Sequence, residues 1–590
     1  MQKEYNYQKV IERISQLIKQ AEKNDDKLSL LRLAVFILGT VISLISFFFI
    51  SENSIYIPLV IFLTLFLIIT HFHNKLLAEK KSLITYLKIK KDLSARKILN
   101  WKNISNFYKP DNKSELDRYL NLIGDRSLLH LLNLSKSKAA GKELLENLVS
   151  YKSSDEIIKN QNIVDELCCE TRIINKLLLF SDKYKSDNFA DFNEWLQEED
   201  KKNKLGEVLF ISYLLNVVFI FLSIFVFDKS YFWYTSVIYI FVYYHYSAKT
   251  KTITKKAEII LDEIKSFYPI FNFLNIVKIK KESELNKLVS IFRDKNNSLK
   301  KIFKNTKNFV SLLELKANPV IWFPVVFVFP VDIIINSKLR SYRKTLKEIY
   351  PKSVSRFNSL MSYISLAVFK LNNPEYSKPE ITDDEIIFRS DEMGHPLISK
   401  KDKIANDYEI KSENNLDIIT GSNMSGKSTF LRTVGVNLLL AYAGTSVNAV
   451  NLKCSNFKLF TCINVSDSVV DGISYFYSEV KRLNELLKLK SNSDMKIFLL
   501  IDEIFKGTNN KERLEGSKLF ISNILSENMY GLISTHDLEL GNLETVHNGI
   551  RNYHFKDSIV ENKMYFDYKL HSGICPTTNA LKIIKNTMNI

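Results

Sequence analysis

The stretch 416–429, LDIITGSNMSGKST, constrains the fold of this chain more than any other part of it. Its first residues, Leu416–Ile419, are mostly apolar and predict a buried strand, and the run Thr429–Ala443 predicts an amphipathic helix. Between them stands the spacing G-x-x-x-x-G-K-S, whose glycines let the backbone curl so that successive N–H groups face one anion. We therefore predict a phosphate-binding loop; the alternative is a glycine turn that binds no nucleotide.

The residues of this loop have distinct expected roles in binding ATP and Mg²⁺. We expect the Lys427 ammonium to reach the β- and γ-phosphates and the Ser428 hydroxyl to ligate Mg²⁺. The N-terminal end of the following helix adds its positive dipole. The predicted nucleotide-binding residues are Gly421, Ser422, Asn423, Met424, Ser425, Gly426, Lys427, Ser428 and Thr429.

A second apolar run, Ile497–Ile501, ends in two carboxylates. A strand that delivers acidic residues at its C-terminal end is the second half of a phosphate-loop site. We expect Asp502 to hold the Mg²⁺ shell and Glu503 to polarise the attacking water. The alternative is a pair of acids that only cap the strand end.

Two further segments complete the predicted site. The short strand Gly531–Thr535 ends in His536, which we predict to sense the γ-phosphate, although a lone histidine is more often structural. The loop S-Y-F-Y-S-E at 474–479 lies between the two motifs along the chain. In ATPases of the ABC type a signature at this point completes the partner subunit's site, so Ser474 is predicted to act across a homodimer. Lys427, Glu503 and His536 form the predicted catalytic set.

Four uncharged runs predict a membrane protein. Leu33–Ile50 and Ile55–Phe72 are joined by a four-residue polar tip, and Val208–Phe227 and Tyr231–Ala248 form a second pair. Each run is about long enough to cross a bilayer as a helix. Lysines flank the runs and are scarce at the tips, so the positive-inside rule predicts two hairpins in the inner membrane with every large segment in the cytoplasm. The alternative is a pair of buried hairpins in a soluble core.

The charge of the chain is strongly basic, with a formal net charge of +17. Residues 249–307 hold 15 Lys/Arg against 6 Asp/Glu. This stretch is either a juxtamembrane face attracted to acidic lipid or a nucleic-acid surface, for which Lys278, Lys280 and Lys281 are the candidate contacts. Ala317–Val331 carries three prolines, which predict a buried or interfacial segment rather than a fifth crossing. The five cysteines show no C-x-x-C spacing, which argues against a zinc site.

Several of these motifs resemble those of the MutS mismatch-repair ATPases. The loop T-G-S-N-M-S-G-K-S-T at 420–429 looks like their P-loop, with Ser425 where glycine is usual. The other similar segments are D-E-I-F-K-G-T at 502–508, S-T-H-D at 534–537, the Ser474–Val480 loop, His395-Pro396, and Phe566–Leu581 with its Tyr568, Lys569, Gly573 and Asn579. Together they extend over about 200 residues.

The resemblance implies an ATPase that uses ATP and Mg²⁺ at a dimer interface and acts on DNA. The weaker similarity of Leu116–Leu148 to the start of the MutS core helices leaves only about 110 residues before it. The first hairpin occupies much of that length, and the second hairpin stands where MutS proteins insert a DNA-gripping clamp. We therefore expect a membrane-associated variant without the mismatch-reading domain.

The expected fold class is an α/β P-loop ATPase domain of the ABC/MutS type, preceded by an all-α core and lever region with two transmembrane hairpins. The expected function is ATP hydrolysis coupled to DNA binding without mismatch recognition; the alternative is a mechanical membrane ATPase with no DNA role. The expected domains are an N-terminal helix (1–28), hairpin 1 (29–74), a helical core (75–204), hairpin 2 (205–250), a basic core and lever (251–380) and the ATPase domain (381–590).

Overall fold

The computed structural model divides the chain into two compact units. The first unit contains Met1–Leu134, Leu145–Thr171 and Ser365–Ile590, and the second contains Ser135–Leu144 and Arg172–Ile364. The structure describes residues 6–51, 55–110, 115–184, 189–197, 204–225, 231–293, 300–302, 322, 325–326, 330–422, 424–462, 475–492, 495–506, 508–525, 528–560 and 563–576.

Among the described residues, helices dominate up to residue 372 and strands appear only after it. The α-helices are α1 (Tyr7–Phe49), α2 (Tyr56–Lys97), α3 (Glu115–Tyr119), α4 (Leu128–Leu132), α5 (Lys138–Val149), α6 (Ser154–Cys169), α7 (Thr171–Lys183), α8 (Phe189–Gln197), α9 (Lys204–Phe225), α10 (Tyr231–Ile276), α11 (Glu284–Val289), α12 (Val331–Asn372), α13 (Lys427–Ala443), α14 (Tyr475–Asn492), α15 (Asn510–Ile524) and α16 (Leu543–Val546). Short 3₁₀ turns occupy Trp101–Asn103, Ser290–Arg293 and Leu538–Asn542.

In the part of the first unit that follows residue 372, the described residues include ten strands, which form two sheets. They are β1 (Glu380–Thr382), β2 (Ile387–Met393), β3 (Asn406–Lys411), β4 (Leu416–Thr420), β5 (Asn451–Ser455), β6 (Lys458–Cys462), β7 (Ile497–Asp502), β8 (Met529–Ser534), β9 (Ile550–Val560) and β10 (Lys563–Ser572). The larger sheet has the order β10-β9-β4-β8-β7-β6, parallel from β9 to β6, with β10 antiparallel to β9. The smaller sheet has the order β1-β5-β2-β3. A parallel sheet brings the carboxyl ends of its strands to one edge, where ligands bind.

The central strand β4 is buried along its whole length although it contains an acidic residue. Asp417 is fully buried and accepts two hydrogen bonds from the Arg551 guanidinium, both at 2.9 Å, and a third from the Tyr408 hydroxyl at 2.7 Å. A buried charge is tolerated only when it is paired and hydrogen-bonded in this way. This pairing lets a charged residue occupy the middle of the sheet next to the phosphate loop.

The helix α13 differs from its prediction. The run Thr429–Ala443 was predicted to be amphipathic, but almost every residue of α13 is buried, and only Ser428, Thr429 and Arg432 keep partial or full exposure. The prediction was wrong because a helix that packs inside a doubly covered sheet has no solvent-facing side.

The first apolar pair forms two long helices, α1 and α2, which pack against each other along one stripe. In the apolar part of α1 the buried residues are Val35, Gly39, Ser43 and Ser46, which recur at helical spacing. Most of the large apolar side chains of both helices are exposed, although Phe62 of α2 packs against Gly39. Both helices also run through the boundaries predicted for them, because α1 begins at Tyr7 and α2 continues to Lys97.

The second apolar pair, α9 and α10, carries a polar network. The Tyr243 hydroxyl donates to Asp332 Oδ2 at 2.5 Å and accepts from Trp322 Nε1 at 3.1 Å. The Tyr239 hydroxyl donates to the carbonyl oxygen of Val326 at 2.8 Å. Trp322 and Val326 therefore lie against the apolar half of α10, inside the segment predicted to be buried or interfacial. Most of that segment lies outside the described residues.

Three helices in the described chain are long and apolar enough to cross a membrane: α1, α2 and α9. The fourth predicted crossing, Tyr231–Ala248, is not among them. Its many tyrosines lower its hydropathy, and several of their hydroxyls are hydrogen-bonded inside the protein. Residues 52–54 and 228–230, in the tips of the two predicted hairpins, lie outside the described residues.

The second unit has its own core around a buried carboxylate. The hydroxyls of Tyr184 and Tyr350 both donate to Glu263 Oε1, at 2.8 and 3.0 Å. The rings of Phe267 and Phe357 pack around this group. Burial raises the pKa of Glu263, so the carboxyl holds a proton more readily than an exposed one.

Candidate phosphate-binding and hydrolysis site

The predicted phosphate loop joins β4 to α13 at the carboxyl edge of the large sheet. Gly421 and Gly426 adopt φ angles of 145° and 111°, which L side chains rarely adopt, so both positions require glycine. A Cβ atom on Gly426 would lie only 3.1 Å from the Tyr568 ring. Met424 also has a positive φ, 70°, and its side chain is exposed at the tip of the loop. Asn423 lies outside the described residues.

Lys427 begins α13, and its ammonium folds back under the loop. Its Nζ donates to the carbonyl oxygens of Gly421 and Ser422, both at 2.8 Å. Burial lowers the pKa of Lys427 to about 8, while the nearby carboxylates of Asp502 and Glu503 act in the opposite direction. The loop therefore encloses a desolvated cation whose field is screened less than at an exposed site.

Two hydroxyls of the loop fit an anionic ligand. The Oγ atoms of Ser422 and Ser425 are buried and have no hydrogen-bond partner among the described residues. Buried hydroxyls are normally hydrogen-bonded, so two unpaired ones in the same glycine-rich loop fit a site whose acceptor is the phosphate chain of a nucleotide. The donor set matches ATP.

The carboxylates that end β7 lie close to this loop. Asp502 accepts a hydrogen bond from the Ser534 hydroxyl of the neighbouring strand β8. The next residue, Glu503, leaves the strand with a φ of 57°, and its N–H donates to the carbonyl oxygen of Ser534 at 3.0 Å. The unusual backbone angle turns the Glu503 side chain toward the segment after β8.

Glu503 is paired with His536 and Lys506. Its Oε1 lies 2.5 Å from His536 Nε2, and its Oε2 lies 2.6 Å from Lys506 Nζ. The hydrogen bond from His536, and next the one from Lys506, lowers the pKa of Glu503 to about 2. The Glu503 carboxylate therefore stays ionised throughout the physiological range.

His536 contacts both halves of the site. Its Nδ1 lies 2.9 Å from the carbonyl oxygen of Gly421 and 3.4 Å from Lys427 Nζ. Its Nε2 lies against the ionised Glu503 carboxylate. The bidentate ion pair between Arg513 and Asp537, with both distances at 2.8 Å, fixes the backbone beside His536. The histidine thus connects the phosphate loop to Glu503.

The predicted Mg²⁺ ligands lie at the same edge of the sheet. Ser428 stands in the first turn of α13, after β4, and Asp502 ends β7; these strands flank β8 in the parallel sheet. In the described part of the chain no group of three His, Cys, Asp or Glu side chains could hold a metal by itself. One hydroxyl and one carboxylate fit Mg²⁺, which keeps several waters and takes further oxygens from substrate phosphates.

Some predicted site residues lie elsewhere. Ser474 lies outside the described residues, so its position relative to the loop is not described. Lys278, Lys280 and Lys281 belong to the second unit, where they are exposed in the connection between α10 and α11.

The structure adds residues that the motifs alone did not assign a role. Tyr568 adopts a φ of 51° at a bulge in β10 and places its half-exposed ring against Gly426. Lys506 pairs with Glu503, and Glu479 contacts the segment after β7. These contacts could not be predicted from the spacing of the residues along the chain. Each contact depends on a positive φ angle at a residue that is not glycine, and the residue type does not predict such an angle.

Comparisons with known proteins match the same region. Residues 417–589 match the family model described as MutS domain V. The mouse "MutS protein homolog 4" is 30% identical over 258 residues, which cover 40% of this chain and 26% of that protein. The Clostridium kluyveri "DNA mismatch repair protein MutS" is 34% identical over 230 residues, 38% of this chain and 26% of that protein.

The matches extend over about a quarter of the length of these relatives. They coincide with the phosphate loop, the carboxylate strand and the histidine strand of the large sheet. The resemblance to the MutS family is therefore confirmed, and this chain carries a MutS domain V at its C-terminus.

Proposed function

We propose that this protein is a membrane-anchored ATPase that binds and hydrolyses ATP with Mg²⁺ at the interface of a homodimer. One observation carries the proposal. Gly421 of the phosphate loop, the Glu503 carboxylate and the Lys427 ammonium all lie within 2.5–3.4 Å of one histidine, His536.

The residues divide the work of hydrolysis between them. Lys427 and the N-terminus of α13 hold the phosphates, and Ser428 and Asp502 hold Mg²⁺, which neutralises charge on the phosphates. Glu503 accepts a hydrogen bond from the attacking water. The ring of Tyr568 offers a flat apolar face beside the loop for the adenine base. His536, close to the loop, is placed to donate a hydrogen bond to negative charge as it develops on the γ-phosphate.

The apolar helices support membrane anchoring. The large side chains of α1, α2 and α9 point outward, and such a surface is stable in lipid but not in water. The lysine-rich flanks favour an inner-membrane protein whose ATPase and core regions are cytoplasmic.

The length of α10 favours DNA over lipid as the partner of the exposed lysines. The helix continues without interruption from the apolar run, which ends at Ala248, to Ile276. That distance corresponds to roughly 40 Å along the helix. Lys278, Lys280 and Lys281 then lie several Debye lengths from the membrane end of the helix, since one such length is about 8–10 Å. We propose that they contact duplex phosphates without reading sequence or mismatches.

One observation favours the mechanical ATPase as the second candidate. The helix α12 ends at Asn372, just before the sheet domain, and Asn372 accepts a hydrogen bond from the Tyr7 hydroxyl at 2.6 Å. Tyr7 begins the apolar helix α1. This contact can transmit ATP-driven movement to a membrane helix without any DNA.

Steady-state ATP hydrolysis by the detergent-solubilised protein tests the ATPase proposal. Lys427→Ala should weaken both ATP binding and turnover, because it removes the buried cation of the loop. Glu503→Gln should still bind ATP but hydrolyse it about 10²–10⁴-fold more slowly, because it keeps the shape and loses the charge that polarises water. Near-normal turnover in Glu503→Gln would remove that residue from the reaction.

Mixed subunits test the dimer. If Ser474 acts on the partner's nucleotide, a mixture of Ser474→Ala and Lys427→Ala subunits should regain part of one active site in each heterodimer. Each variant alone serves as the control. Mixed dimers that form but remain inactive would show that Ser474 does not act across the interface.

A further inference from the structure

A buried glutamate contacts the catalytic segment from below. Glu479 lies in the first turns of α14 and is only 2% exposed. Its Oε1 accepts the backbone N–H of Phe505 at 2.5 Å, and its Oε2 is buried without a hydrogen-bond partner in the described structure. Burying a carboxylate costs free energy, so we asked what the contact between Glu479 and the 503–506 segment contributes.

The 503–506 segment needs an anchor from outside its own sequence. Glu503 and Phe505 have φ angles of 57° and 56°, and neither is glycine. Such angles persist only where surrounding contacts impose them. On one side the Phe505 ring packs over Gly516, where a Cβ atom would lie 3.3 Å from it, and meets the edge of Phe520. On the other side Glu479 holds the Phe505 N–H.

We propose that Glu479 is a positioning residue that anchors the backbone of 503–506 so that the Glu503 carboxylate is held at the phosphate loop. The inference rests on the proposed function, because it takes Glu503 as the group that polarises water. Glu479 itself touches neither the Glu503 carboxylate nor the phosphate loop. It acts through the backbone N–H of Phe505, two residues after Glu503.

The same contact connects Glu503 to the loop that contains Ser474, the residue predicted to act on the partner subunit's site. α14 begins at Tyr475, directly after Ser474, and Glu479 follows within the next turn and a half. A movement of α14 on dimer formation would therefore be passed by the Glu479 carboxylate to the peptide of Phe505. This gives each site a physical route for sensing its partner, with Glu479 as the connecting group.

The ionisation of Glu479 provides a readout that a purely structural residue would lack. The charged groups that face it are Lys506 and Glu503, both on the segment it anchors, and burial raises its pKa to about 7. A hydrogen bond to a charged acceptor is stronger than one to a neutral acceptor. The hydrogen bond from the Phe505 N–H to the Glu479 carboxylate should therefore be stronger above pH 7 than below it.

The test compares Glu479→Leu and Glu479→Gln with a matched control, Glu485→Leu, on the same helix. Glu485 is about half exposed and pairs with Arg482. For each full-length variant, hydrogen exchange of the 503–506 peptide and the kcat and KM for ATP are measured at pH 6 and pH 8. Exchange rates are corrected for their intrinsic pH dependence.

We expect Glu479→Leu to accelerate exchange of 503–506 and to lower kcat by about 10- to 100-fold, with little change in KM for ATP, because one hydrogen bond to a charged group is lost. Glu479→Gln keeps an acceptor, so it should match the wild type at pH 6 and fall behind it at pH 8. The control should match the wild type throughout.

Two results would overturn the proposal. The first is unchanged exchange of 503–506 in Glu479→Leu, or in Glu479→Gln at pH 8 if the leucine variant does not fold. The second is a parallel change in KM and kcat with a global loss of protection, which indicates a structural role only. If the wild type hydrolyses no ATP, the proposed function fails, while the exchange measurement still decides whether Glu479 anchors the segment.

Discussion

Two apolar regions of this protein use large and small side chains in opposite ways. α13 buries its leucines and valines on all sides, within the sheet domain. In the apolar windows of α1 and α2 only 17% and 11% of the residues are buried, and in α1 the buried positions are small residues or valine. Large residues outside and small ones at the helix contact are typical of helices in lipid, where burial from water does not drive helix association. The sequence runs look alike, yet the proposed membrane anchoring places them in different solvents.

Labelling from outside intact cells should give the largest difference, an all-or-none one, between the predicted hairpin tips and the sheet domain. Cysteines introduced at Asn53 and Lys229, in the two predicted tips, should react with a membrane-impermeant reagent because both tips face outward. A cysteine at Ser491, in α14, should react only after the cells are opened. Labelling of Ser491→Cys alone would reverse the topology, and labelling of none would place both hairpins inside a soluble core.

Inserting one arginine into each of the two apolar regions should give the next largest difference, measured as the loss of folded ATPase. Leu438→Arg in α13 buries an unpaired charge in a closed core. The free-energy cost of that burial should exceed the few kcal/mol of stability of a domain, so little folded ATPase should remain. Leu44→Arg, at an outward position of α1, should cost about 2.5–3.5 kcal/mol of membrane insertion and leave the ATPase folded.

Thermal inactivation of ATP hydrolysis in detergent measures both variants, with Leu438→Ala and Leu44→Ala as controls for the lost leucine. If Leu44→Arg inactivates the ATPase as fully as Leu438→Arg does, then α1 packs against protein rather than lipid.

Two glycines allow a finer comparison. A Cβ on Gly39 of α1 would lie 2.6 Å from the Cβ of Phe62, whereas one on Gly435 of α13 would meet only the methyl ends of Leu120 and Leu500, at 2.7 and 2.8 Å. Overpacking costs about 1–3 kcal/mol, and alanine recovers about 1 kcal/mol of helix propensity. Because a Cβ cannot rotate away, Gly39→Ala should cost more than Gly435→Ala.

The measurement is matched to each site. For Gly39→Ala we expect slower disulfide formation between cysteines placed at Phe36 and Phe66, whose rings are 6.2 Å apart. For Gly435→Ala we expect a small shift in the thermal inactivation of ATP hydrolysis. A larger effect at Gly435 would mean that the leucine ends cannot move and that the two packings are equally rigid.

The sequence predicted the parts of the site that depend on local spacing. The glycines of the phosphate loop, Lys427, and the acidic end of β7 follow from a strand, a turn and a helix in fixed order. The pairing of His536 with Glu503 could not be predicted, because it depends on a left-handed backbone at Glu503. Contacts that bridge distant parts of the chain leave no periodic signal.

The apolar helices were predicted by length and charge, and the errors came from their surroundings. α13 was predicted to be amphipathic, although the sheet domain covers nearly all of the helix. In α10 the hydroxyls of Tyr239 and Tyr243 bond Val326 and Asp332 inside the unit. Which side chains meet a neighbour is decided by the fold and not by the residue pattern.

DNA binding by the exposed lysines that follow α10 should be the smallest of these effects on the protein itself. Replacing Lys278, Lys280 and Lys281 together by Gln should leave folding and basal ATP hydrolysis unchanged, because all three are exposed. Duplex binding should weaken about equally on matched and mismatched DNA, and the slope of log affinity against log salt should flatten by about 3, since each neutralised phosphate releases counterions. The triple Arg variant, which keeps the charge, should bind normally. A preference for a mismatch that survives physiological salt would show that another segment reads the mispair, and no binding even at low salt would favour the mechanical ATPase.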